Sequence, residues 1–213
     1  CLLTLALSAV VATAAAEQSQ RAQDRELTAA EKEAIRKAFP TNSAQADEMI
    51  RRLETERTLA VDLRETPNKV RDIVAPILSK MRDADFESKE FLQARGALDQ
   101  KLRWLRQHKV TINESIGNLL AETLIDKYSK SSRSGDPFLI EVVATFGSGK
   151  GARTFLVELL EREDEKTTSI VLSRLAWTES LVGDSALFHH LQTRLQSSEK
   201  GKSATLAAMR RID

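Results

Sequence analysis

Residues 146–155 read FGSGKGARTF, and they lie between the apolar runs FLIEVVAT (138–145) and LVELL (156–160). Two folds compete for this stretch. A phosphate-binding loop has the form G-x-x-x-x-G-K-[ST] between a strand and a helix: glycines turn backbone amides toward the phosphates, lysine neutralises charge, and the hydroxyl ligates magnesium. With Gly149-Lys150 as its core, LIEVVATF (139–146) becomes the strand and ARTFLVELL (152–160) the helix. Two positions fail, because Ala144 stands where the first glycine belongs and Gly151 where the hydroxyl belongs. No later strand pattern supplies an acidic ligand for the magnesium. The competing reading makes residues 147–151 a turn between two packed helices. It accounts for more of the chain, since Ala152, Phe155, Leu156, Leu159 and Leu160 form one apolar stripe at helical spacing.

The pattern continues outward in both directions. Downstream, EREDEK (161–166) reads as an acidic, solvated turn, and Val171, Leu172, Leu175 and Ala176 form a stripe that ends near Trp177. Gly183-Asp184 restarts the cycle with Leu187, Phe188, Leu191 and Leu195, and Leu206, Met209 and Ile212 follow. The stripes superpose. Leu156 and Leu160 match Leu191 and Leu195 at a shift of about 35, and Leu172 and Leu175 match Leu206 and Met209 at about 34. Upstream, Leu120 and Leu124 take the same places at about 36, with extra residues in the turn-rich run SKSSRSGDP (129–137). That run reads as a long loop within one array, because helical periodicity resumes beyond it.

The segment VVATFGSGKGARTFLVELLEREDEKTTSIVLSRLA (142–176) resembles a bacterial HEAT repeat: a helix ending in an apolar residue and glycine, a polar turn, a helix with paired leucines, and an acidic turn before the next helix. The resemblance covers residues 116–212. It implies an all-α, right-handed α-solenoid, an armadillo-like array of helical hairpins over 113–213, with a helical amino-terminal portion or cap over 28–112. Each pair in such an array buries its apolar face only against its neighbours, leaving an extended surface suited to protein partners.

The amino-terminal half is also helical by pattern. Thr28 and Glu31 have capping-box spacing and predict a helix over 29–39. Ala46, Met49, Ile50 and Leu53 predict a second to about residue 63. Pro67 suits a helix's first turn, and Val70, Ile73, Val74, Ile77, Leu78 and Met81 make the cleanest stripe, with Pro76 expected to kink or split it. Phe91, Leu98, Leu102 and Leu105 form the next stripe, started by DADFES and flanked by Trp104, and Ile116, Leu119, Leu120 and Leu124 follow.

The extreme amino terminus is a different object. An apolar run from Leu2 to Ala12 precedes small residues Ala14, Ala15 and Ala16 and then polar ones, the order of a secretory signal's apolar core and cleavage region. Residues 1–16 are therefore expected to be a signal peptide truncated at its start and cleaved after Ala16, with a retained anchor or a buried helix as the alternatives, and 17–27 a flexible leader. A membrane span needs about 20 apolar residues, so no stable span is expected after signal removal. Cys1 is the one cysteine, so a processed chain has no disulfide, thiolate metal site or cysteine nucleophile. The 213 residues carry 32 Lys plus Arg against 31 Asp plus Glu, a net charge of +1, and no overall field draws the chain to nucleic acid.

Other candidate chemistry is sparse. His189 and His190 are adjacent and point about 100° apart on a helix, so they cannot chelate one metal; His108 is the third histidine. Glu161, Glu163, Asp164 and Glu165 read as a solvated turn rather than an acid/base pair. Lys101, Arg103, Arg106 and Lys109 around Trp104 could form a small basic patch, though such a run is more often a helix's wet face. No catalytic, cofactor-binding or metal residue is assigned, and no cofactor is expected. The sequence thus points to a non-enzymatic protein-binding scaffold exported to the periplasm or cell envelope of a bacterium, its partner and oligomeric state unspecified. The alternatives are a nucleotide-binding protein or enzyme using Gly149-Lys150, and a helical adaptor working through its amino-terminal half around Trp104.

Overall fold

The capping box predicted at Thr28 forms: its hydroxyl accepts from the Glu31 amide at 3.3 Å, and the Glu31 carboxylate accepts from the Thr28 amide at 2.8 Å. This computed structural model describes residues 24–131, 135–161, 165–176, 181–197 and 201–213. Among them the chain is all-helical, with ten α-helices and no strand. The expected signal peptide, Cys1 and most of the expected leader lie outside the described residues, as do Glu163, Asp164 and Trp177. The described part divides into two compact units. One holds the residues through Pro67 with Leu105–Thr111, and the other holds Asn68–Trp104 with Ile112–Asp213.

In the first unit, α1 (Ala29–Ala38) packs on α2 (Ser43–Glu65). Asn42 starts α2 by accepting from the Gln45 amide at 3.0 Å, which satisfies one of the amides a helix start leaves unpaired. Helix α2 buries Ala46, Ile50, Ala60, Val61 and Leu63, while α1 buries none of its residues. Helix α1 is held mainly from its polar side, by Lys32 on Glu54 at 2.7 Å and by Arg57, which donates to Glu31 and to the Glu26 carbonyl.

The second unit begins with a 3-10 turn at Pro67–Lys69 that leads into α3 (Val70–Asp83). Pro76 does not split α3. It sits on the exposed face, as does Asp72, whose carbonyl loses its partner to the proline, so water can satisfy that oxygen while Val70, Val74, Leu78 and Met81 stay buried. Helix α4 (Lys89–Gln107) starts at Ser88, whose hydroxyl accepts from the Phe91 amide. Its last residues, from Leu105, belong to the first unit, where Lys109 is left-handed at φ 54° and the Val110 amide reaches the Leu105 carbonyl at 2.9 Å. Phe86, Phe91 and Tyr128 form a tilted and edge-to-face cluster with ring centroids 4.8 to 6.0 Å apart.

Six helices follow: α5 (Glu114–Ser129), α6 (Pro137–Phe146), α7 (Lys150–Glu161), α8 (Glu165–Leu175), α9 (Ser185–Ser197) and α10 (Lys202–Ile212). They pack as pairs, α5 on α6, α7 on α8 and α9 on α10. They also pack on the helix next but one, α3 on α5, α5 on α7 and α7 on α9 in one series, α6 on α8 and α8 on α10 in the other. Leu120, Leu124, Leu156, Leu160, Leu172, Leu175 and Leu191 are fully or almost fully buried, whereas Leu195, the expected counterpart of Leu160, is half-buried. The last helix differs from its sequence reading. Thr205, Ala208 and Ile212 are buried, whereas Leu206 is 42% exposed and Met209 is half-buried. Ile212 is buried as that reading expects, so the buried face runs through Thr205, Ala208 and Ile212 in place of Leu206, Met209 and Ile212.

Candidate functional site

The turn at residues 147–149 is the place where the sequence offered chemistry. The segment that a phosphate loop needs as a strand is helix α6. Gly147 is required by packing: a Cβ there would lie 2.6 Å from the Ala152 Cβ, 2.8 Å from the Val143 carbonyl oxygen and 2.9 Å from the Ala121 Cβ. Gly117 on α5 is needed for the same reason, since its Cβ would meet the Phe146 carbonyl oxygen at 2.2 Å. These two glycines let α5 and α6 close on each other at the turn.

The turn's amides are already engaged. Asn118, one residue past Gly117, accepts from the Ser148 amide at 2.9 Å and from the Gly149 amide at 2.9 Å. The Ser148 hydroxyl donates to Glu114 at 3.0 Å. One side-chain amide oxygen therefore occupies the position a phosphate oxygen would take at the entrance to α7, and it does so without bringing charge. Lys150 is exposed on the first residue of α7, and Gly151 has open space around it. The geometry is that of a sealed turn.

Two further turns are held in a related way. Asp136 caps α6 by accepting from the Phe138 amide at 2.9 Å and pairs with Arg95 of α4, also at 2.9 Å; the Arg95 guanidinium lies 5.2 Å from the Phe138 ring centre. Asp184, with its side chain 5% exposed, caps α9 through the Leu187 amide and pairs with Arg153 of α7. Sequence reasoning flagged Asp184 only as part of a restart and missed Asn118, Arg95 and Arg153. Their partners are 30 to 41 residues away. The local signal is an aspartate before a helix start.

The remaining candidates among the described residues lie apart from one another. His189 is exposed and His190 half-buried on α9, while His108 belongs to the other unit. Among the described residues no group of three His, Cys, Asp or Glu could hold a metal ion. Glu161 ends α7 and Glu165 begins α8, both at the surface. In the basic run, Arg103 is paired with Asp99 at 2.8 Å, which holds its pKa above the usual value, and Lys101 lies 5.9 Å from the Trp104 ring centre. No helix among the described residues is long and apolar enough to cross a membrane.

Open grooves with apolar side chains on their walls occur in both units among the described residues. In the first unit, Leu27, Ala34, Ile35 and Leu53 line an apolar groove of about 450 Å³ between α1 and α2, with Glu31, Arg57 and His108 also on its wall. Glu31 is held at a pKa of about 2 by the Thr28 backbone amide first, and then by Arg57 and the Thr28 hydroxyl. In the second unit, α4 and α6 flank an open groove of about 440 Å³ lined by Leu92, Gly96, Pro137 and Phe138 and by the charged Arg95, Asp99, Arg103 and Glu141. Leu92 is 53% exposed there, and a Cβ on Gly96 would meet nothing within 4 Å. No protein-family model, curated protein or solved structure matches the chain.

Proposed function

We propose that this protein is a non-enzymatic protein-binding scaffold of the bacterial cell envelope, built as a right-handed solenoid of HEAT-like helical hairpins. The observation that carries the reading is the packing of the second unit, in which helices meet both their neighbour and the helix next but one, as stacked hairpins do. In this reading the pairs are α5/α6, α7/α8 and α9/α10, with α3 stacked on α5 at their start. The sealed turn at residues 147–149 supports a scaffold over a nucleotide site, because its amides are bonded to Asn118 and no strand precedes it. The groove between α4 and α6 is the surface assigned to the partner: it combines an exposed leucine and an aromatic face with acidic and basic rims. Export rests on the sequence of residues 1–16.

The test uses the tagged chain in a pull-down from bacterial envelope extract, followed by titration of the purified partner against wild-type protein and Leu92→Arg. Stoichiometric binding weakened at least tenfold by Leu92→Arg supports the reading. A saturable thermal shift with ATP and magnesium, lost in Lys150→Ala, would overturn it in favour of a nucleotide site.

A further inference from the structure

We draw no further inference here: the strongest candidate, the apolar groove between α1 and α2 lined by Leu27, Ala34, Ile35 and Leu53, carries nothing because nothing in the structure shows what covers it.

Discussion

The same substitution at two helical glycines of the second unit should change stability in opposite directions. Alanine is favoured over glycine inside a helix by about 0.8–1.0 kcal/mol, chiefly through backbone entropy. At Gly96 of α4 nothing lies within 4 Å of the added methyl group, so Gly96→Ala should gain most of that amount. For a chain of this length, about 1 kcal/mol raises Tm by roughly 2–4 °C. At Gly117 of α5 the methyl would lie 2.2 Å from the Phe146 carbonyl oxygen and 3.1 Å from its carbonyl carbon. That neighbour is backbone at the end of α6 and has no rotamer to change, so α5 and α6 must separate. Overpacking of this kind costs about 1–3 kcal/mol or more, enough to offset the helical gain and leave Gly117→Ala destabilised. Urea titration and thermal melting of both variants, followed by helical circular dichroism, measure the two signs on the same unit. A Gly117→Ala protein as stable as the parent would refute the close α5–α6 approach. The assignment of Gly117 and Gly147 as packing residues would fall with it.

Three other outcomes are expected. Leu160→Ala, at a fully buried position of α7, should lower unfolding free energy by about 2–5 kcal/mol through lost transfer energy and a residual cavity; a change below 1 kcal/mol in urea titration would place Leu160 outside the core. Asn118→Ala should cost about 1–2 kcal/mol, as loss of a helix-start acceptor does, whereas exposed Lys150→Ala should stay within about 0.5 kcal/mol; equal losses in thermal melts would contradict the sealed turn. Glu31 has its pKa depressed from 4.5 to about 2 in the folded chain, so its contribution is full above pH 4.5 and is lost as pH falls toward 2. Glu31→Gln should therefore flatten the stability profile between those limits, and a profile unchanged from the parent, read by melts from pH 2 to 6, would refute the assignment.

Much of the fold was legible in the sequence because helices announce themselves locally. The Thr28/Glu31 box, the Val70–Val74–Leu78 stripe and the paired leucines of α7 are written within one or two turns, where a 3.6-residue period and a cap residue suffice. The same local reading erred at α10. Leu206 and Met209 look like a core pair, yet Thr205 and Ala208 are the buried residues. Hydrophobicity ranks side chains but does not say how closely two backbones approach.

What the sequence determined by itself was the helical character of the chain, the positions of most helices and the absence of a complete phosphate-loop pattern at residues 144–151. Only the tertiary structure decided which helices meet. It also decided that Gly117 is crowded where Gly96 is free, and that Asn118, Asp136 and Asp184 close turns against distant partners. The reason is one of range: periodicity and capping act over a few residues, whereas these contacts join residues 30 or more positions apart and leave no periodic trace in the chain.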